Sequence, residues 1–157
     1  MAIDIGQMAP DFTLYDSDKN KVTLSDLRNS NVLILFFPLA FTSVCTAELC
    51  SIRDSLKMYE QQDVKPLGIS VDSLYTLAMF KKEEHLNFQL LSDFNKEVSK
   101  MYGSLYDTFG YEMKGVSKRA AFLVDTEGKI QYAEVLENAS LQPDFEQIKV
   151  KLRALAE

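Results

Sequence analysis

The step that most limits what this chain can fold into runs from Val32-Leu33-Ile34-Leu35-Phe36-Phe37 through Pro38 into a segment of helical apolar spacing. The apolar run is β-branched and aromatic, and it lacks the alternation of a strand with one wet face. It therefore predicts a strand buried on both sides, in a sheet covered by helices. Pro38 has no N–H to give to a ladder and ends the strand. Beyond it, Leu49, Ile52, Leu56 and Tyr59 follow Cys45 at intervals of three and four, which mark one face of a helix.

Cys45 then falls in or just before the first helical turn. Unpaired backbone N–H groups and the helix dipole favour an anion there, so a thiol at this place is expected to have a lowered pKa and to act as a nucleophile. The competing use is a buried structural thiol, a common state of free cysteine. Thr42, three residues earlier, can set a hydroxyl beside the sulfur as donor or acceptor. Cys50, the only other cysteine, sits in the same segment.

The rest of the chain reads as one unit. With 157 residues it can close a core without disulfides or metal, and a single domain over 1–157 is expected. Hydrophobic residues make up 46% and charged residues 25%, a globular balance that speaks against disorder. A net charge of −6 argues against a nucleic-acid surface. No charged n-region and apolar h-region follow Met1, and the longest apolar stretch, 32–41, is short and holds Pro38. Neither a signal peptide nor a membrane span is expected, and the predicted location is the cytoplasm. Two cysteines and the single His85 cannot complete the usual zinc site, and a secreted disulfide framework would need more pairs. Redox chemistry is the better use of the thiols. His85 follows Lys81-Lys82-Glu83-Glu84, reads as solvent-facing and is assigned no role.

In chain order, Phe12-Thr13-Leu14 and Val22-Thr23-Leu24 flank a polar turn and predict a short hairpin, followed by a helical turn at Ser25-Asp26-Leu27-Arg28. Residues 64–71 predict a strand with Gly68 inside it, and Ser73 can cap a helix carrying Leu74, Leu77 and Ala78. Strand, helix and strand in this order make a parallel crossover. Leu90-Leu91 begins another strand, residues 95–102 a short helix, and residues 103–117 an irregular loop. Residues 120–124 and 130–135 flank Asp125-Thr126-Glu127-Gly128-Lys129, the signal of an antiparallel hairpin. Phe145, Ile148, Leu152 and Leu155 end the chain as a helix, with Pro143 in its first turn.

The signature Pro38-x-x-x-Thr42-x-x-Cys45 resembles the active-site motif of the peroxiredoxins, thiol peroxidases on a thioredoxin-like fold. The resemblance continues through Ala9-Pro10-Asp11-Phe12, Cys45-Thr46-x-Glu48-Leu49-x-x-x-Arg53-Asp54, Gly68-Ile69-Ser70-Val71-Asp72, Leu91-Ser92-Asp93 and Arg119 ahead of Ala120. The likeness is to the alkyl hydroperoxide reductase E and bacterioferritin comigratory protein groups. It implies an α/β, thioredoxin-like peroxiredoxin fold: a central mixed β-sheet flanked by helices, with an N-terminal β-hairpin. It also implies that Cys45 is the peroxidatic thiol, that Pro38 shields it, and that Arg119 is the active-site arginine. From the residues alone, Arg119 is one more surface cation beside Lys114 and Lys118. Glu48 stands one turn after Cys45, where a carboxylate suits the helix dipole, and the resemblance implies weak support of the pocket network. Arg53 reads as a helix residue paired with Asp54 or Glu48.

The implied chemistry reduces hydrogen peroxide and organic hydroperoxides through a Cys45 sulfenic acid, with no metal, haem or flavin, and with an external thioredoxin-like or glutaredoxin-like reductant. The spacing Cys45-x4-Cys50 matches the comigratory group, where the second cysteine resolves the first within one chain; the alkyl hydroperoxide reductase E pattern usually lacks it. Five residues along a helix give about 7.5 Å of rise and about 140° of rotation, so the Cα atoms lie about 8–9 Å apart. A disulfide needs about 4.4–6.8 Å, so the Cys45 turn must unwind before the bridge forms. Two alternatives stand beside this reading: a one-cysteine peroxidase with Cys50 structural, and a non-enzymatic redox sensor or binding module. A dithiol oxidoreductase would normally show Cys-x-x-Cys. Leu39, Phe41, Tyr106, Phe109 and Tyr111 supply an apolar substrate pocket, a homodimer surface or plain packing, with a monomer as the other assembly.

Overall fold

A computed structural model describes residues 3–156. Met1 and Ala2, where the reading of a leader begins, lie outside them. In chain order the elements are β1 (Thr13–Asp16), β2 (Lys21–Thr23), β3 (Asn31–Phe36), α1 (Ser43–Asp54), α2 (Leu56–Gln61), β4 (Val64–Ser70), α3 (Leu74–Glu83), β5 (Gln89–Ser92) and α4 (Glu97–Met101). They continue with β6 (Thr108–Phe109), β7 (Met113–Lys114), β8 (Arg119–Val124), β9 (Ile130–Leu136) and α5 (Phe145–Leu155). A single 3-10 turn, Leu24–Leu27, joins the hairpin to β3.

One mixed sheet runs β2-β1-β5-β4-β3-β8-β9. Strands β3, β4 and β5 are parallel to their neighbours in the centre, while β8 joins the other edge of β3 antiparallel. The apolar run at 32–37 thus supplies an interior strand of the sheet. Its two faces feed two cores, as period two requires. Leu33, Leu35 and Phe37 pack with Cys45, Leu49, Ile52, Leu77, Phe80, Ile148 and Leu152, so α1, α3 and α5 cover that face. Val32, Ile34 and Phe36 pack with Phe12, Val22, Leu24, Val98 and Tyr102 on the other.

Three expectations need correction. The helix from Cys45 to Tyr59 is two helices: Ser55 shares its N–H between Ser51 O and Ile52 O, and its ψ of 8° turns the chain. Residues 103–117 hold a small hairpin of β6 with β7, turned by Tyr111 and Glu112, both left-handed at φ 59° and 61°. Such a turn carries no Gly or Asn signal at those positions, which is why the sequence reads as irregular. Pro143 precedes the first turn of α5, whose N-cap is Asp144, accepting from Gln147 N.

Gly68 lies opposite Leu35 in the β3–β4 pair. A Cβ there would sit 2.7 Å from Leu90 Cδ2 and 3.3 Å from Phe37 Cε1. The glycine lets β5 and the last core residue before Pro38 close over β4. Gly68→Ala is expected to lower the free energy of urea unfolding by about 1–3 kcal/mol, the usual cost of an overpacked core site. An unchanged midpoint and slope would contradict this packing.

Candidate active site

The site forms where β3 runs out. Phe37 N–H donates to Ile69 O at 3.0 Å, the last tie to β4, and Pro38 is buried behind it. The turn that follows is held by one carboxylate: Ala40 N–H donates to Asp72 Oδ2 at 2.8 Å, and Ser70 Oγ donates to the same oxygen at 2.6 Å. Phe41 adopts a left-handed φ of 67°, a strained conformation for a bulky residue. Thr42 is the N-cap of α1, yet its side chain does not cap; its hydroxyl donates to Leu39 O at 2.8 Å. With its proton engaged there, Oγ1 has only lone pairs to offer another group. The Thr42 carbonyl accepts from both the N–H and the hydroxyl of Thr46.

Cys45 is the third residue of α1, fully buried and unpaired. The sequence places it in the first turn, and it stands there. Arg119 comes to it from the far side of β3. Ala120 pairs with Phe36, so Arg119 falls beside Phe37, and period two sends its side chain to the face of Ala121 and Leu123, which is the Cys45 face. The guanidinium is only 2% exposed and reaches three acceptors. Nη2 donates to Cys45 Sγ at 3.3 Å, Nη1 to Glu48 Oε1 at 2.8 Å, and Nε and Nη2 to Ala139 O at 3.0 and 2.8 Å. Arg119 is therefore no surface cation. Burial works against its charge, but the Cys45 sulfur and the Glu48 carboxylate outweigh burial and raise its pKa above the usual arginine value.

Glu48 is the least exposed carboxylate of the site, at 0%. One oxygen meets Arg119; the other, Oε2, has no hydrogen-bond partner among the described residues. Burial pushes the Glu48 carboxyl up to about 7, against the pull of Arg119. The asymmetry of the pair follows from its contacts. Arg119 faces three acceptors and stays charged, whereas Glu48 has a single donor in a dry site.

Cys50 lies one and a half turns along α1, half-buried and free. Its thiol donates to Glu84 Oε2 at 3.5 Å, at the end of α3, and burial followed by that bond pushes its pKa up. The structure thus brings Cys45, Glu48 and Arg119 into one contact chain, sets Pro38 and Thr42 on the turn that leads to it, and leaves Cys50 outside. Arg53 pairs with Asp54 and not with Glu48. The aromatics do not share one pocket: Phe41 packs edge-on against Phe80, Tyr106 lies tilted against Phe109, and Tyr111 is 99% exposed. A groove of about 470 Å³ is lined by Ser30, Asp63, Lys65 and Gln89 at the start of β3 and β4, the opposite end of the sheet from Cys45. Sequence reasoning missed two contributors. Ala139 acts through its backbone carbonyl, which no side chain announces; Asp72 carried a signal, as a carboxylate just past the strand end beside the Pro38 turn.

A model of the AhpC/TSA family matches residues 5–133. Alkyl hydroperoxide reductase E of Mycobacterium tuberculosis is 40% identical over 136 residues, covering 85% of this chain and 86% of that protein. Peroxiredoxin Bcp of Escherichia coli is 37% identical over 129 residues, 81% of this chain and 82% of its own. Among solved structures, the peroxidoxin BcpB of Mycobacterium tuberculosis superimposes with a TM-score of 0.84 at 29% identity, covering 98% of both chains.

The raised Glu48 pKa has a consequence for stability. An unfolded chain releases this proton near pH 4.5 and the folded one only near 7, so between those values the folded state binds more protons. The contribution is full below about pH 4.5 and is lost as pH rises through about 7. Relative to Glu48→Gln, which carries no ionisable group there, the wild type is expected to lose stability across this window in denaturant titrations. A difference between the two proteins that stays constant with pH would contradict a Glu48 carboxyl raised in this way.

Proposed function

The chain belongs to the AhpC/TSA family and is a peroxiredoxin, a thiol-dependent peroxidase, and on that premise we propose that Cys45 is its peroxidatic residue. The observation that carries the assignment is the 3.3 Å contact between Arg119 Nη2 and Cys45 Sγ in a site closed to solvent. The thiolate is the nucleophile, and a buried guanidinium against the sulfur stabilises its charge.

In the proposed cycle the Cys45 sulfur attacks one oxygen of the peroxide along the O–O axis. A sulfur–oxygen bond forms, the O–O bond breaks, and the leaving oxygen departs as water or an alcohol, taking up the proton that the Cys45 thiol released. Thr42 Oγ1, whose own proton is donated to Leu39 O, accepts from the peroxide O–H and orients it. Arg119 and the N–H groups at the start of α1, which no side chain caps, face the charge that grows on the oxygens. Pro38, buried at the end of β3, keeps water from the sulfur. Glu48 fixes the guanidinium by its 2.8 Å bond.

The product is Cys45 sulfenic acid. Cys50 is proposed to resolve it as an intrachain disulfide, which an external thioredoxin-like or glutaredoxin-like protein then reduces. Two free thiols fit a reducing compartment, and no helix among the described residues is long and apolar enough to cross a membrane; the proposed setting is the cytoplasm. Hydrogen peroxide and organic hydroperoxides are the proposed substrates.

Intact mass after one equivalent of hydrogen peroxide tests the assignment. Wild type is expected to lose two hydrogens, Cys50→Ser to gain one oxygen, and Cys45→Ser to stay unchanged on the same timescale. Oxidation of Cys45→Ser as fast as wild type would overturn the role of Cys45. Gain of one oxygen by wild type, with no disulfide, would make the protein a one-cysteine peroxidase.

A further inference from the structure

We propose that Glu84 is a positioning residue for Cys50, latching its thiol to the end of α3 and so slowing disulfide formation with Cys45. The proposal rests on the reading of Cys50 as the resolving residue. Its grounds are three contacts between the last turns of α1 and the segment that follows α3. Cys50 Sγ donates to Glu84 Oε2 at 3.5 Å, Arg53 Nη1 donates to Glu84 O at 2.5 Å, and Asn87 Nδ2 donates to Arg53 O at 3.3 Å. Cys50 and Arg53 are three residues apart and share a helix face, so one turn can engage both.

That turn is rigid. Leu86 N–H donates to Lys81 O at 2.9 Å and His85 N–H to Lys82 O at 3.3 Å, while His85 takes a left-handed φ of 52°. These are the paired bonds of a Schellman helix end, with Leu86 buried beneath it. The Arg53 guanidinium meets the exposed carbonyl at the negative end of α3, where a cation is favoured. The Glu84 backbone is therefore held by this helix end, and its carboxylate meets the Cys50 thiol. The effect on the thiol is to hold its proton: burial raises its pKa most, the hydrogen bond to Glu84 adds to this, and the Arg53 charge acts the other way.

Resolution needs the opposite. Cys50 must give up its proton, its sulfur must form a bond to Cys45 Sγ, and the hydroxyl of the sulfenic acid must leave with a proton as water; no outside reactant enters. Before this, α1 must open, and the three contacts decide where. They anchor residues 50–54, so the opening falls on residues 42–49, where no side chain caps the helix and Phe41 is strained, and it must release the Arg119 bonds to Cys45 and Glu48. The latch keeps Cys50 protonated and directed to α3 until that opening occurs.

The test follows the reduced full-length chain after one equivalent of hydrogen peroxide, quenched with acid at intervals and read by intact mass. This separates sulfenic acid, heavier by one oxygen, from disulfide, lighter by two hydrogens. Glu84→Ala is expected to form the disulfide about threefold to tenfold faster than wild type, the range of one hydrogen bond, while the rate of sulfenic acid formation is unchanged. Glu84→Gln keeps an acceptor oxygen and is expected to lie nearer wild type; it also serves if the alanine variant does not fold. Equal disulfide rates in all three proteins would overturn the latch, and slower formation in Glu84→Ala would recast Glu84 as the proton acceptor of the step. If wild type forms sulfenic acid and no disulfide, the resolving role of Cys50 itself fails, an outcome distinct from equal rates.

Discussion

The site depends on a buried guanidinium that must satisfy three acceptors at once. Arg119 ties the Cys45 sulfur on α1 to the Glu48 carboxylate one turn later and to the Ala139 carbonyl beyond β9. A buried charge without partners would cost several kcal/mol, and removing one partner from such a set usually costs about 3–5 kcal/mol. The same constraint fixes geometry. The planar fork can meet all three only if α1, β8 and the segment after β9 keep their relative positions, so one side chain sets how these three parts pack.

The sheet explains why this arrangement is reached. β3 is buried on both faces, and its parallel pairing with β4 and antiparallel pairing with β8 bring Ile69 and Ala120 to its last residues. The chain must then turn at Pro38, and the turn is tied to the end of β4 through Asp72. Helix α1 starts directly after it, which carries Cys45 to the level of Arg119. Glu48 bears the cost of this burial: one oxygen is partnered, one is not among the described residues, and burial raises its pKa against the pull of Arg119. Cys50 lies beyond this network, facing α3, so the two thiols stand in different environments on one helix.

The parts written in local chemistry were legible in the sequence. A continuous apolar run, a proline and a helical spacing placed β3 and Cys45, and the segments 120–124 and 130–135 flanking the turn at 125–129 placed β8 and β9. Arg119 was identifiable through family resemblance but read by itself as a surface cation, because its burial depends on which face of β8 the pairing with β3 selects. The weight of Glu48 was hidden for the same reason, since its partner is 71 residues away. Ser55, which breaks the helix, and the left-handed Tyr111 and Glu112 carry no sequence mark of the kind Gly or Pro gives. The Glu84 contact with Cys50 spans 34 residues and depends on how α1 lies against α3, which spacing along either helix does not encode.

Arg119 is proposed to make the Cys45 sulfur reactive by meeting it with a rigid, bonded charge. The direct measurement is the second-order rate of Cys45 oxidation by hydrogen peroxide in wild type and in Arg119→Lys, with folding checked by circular dichroism. Lysine keeps the charge and loses the fork, so the rate is predicted to fall on the order of a hundredfold, as when one preorganised donor is lost. A folded Arg119→Lys protein that reacts within about twofold of wild type would contradict the account, because charge alone would then suffice.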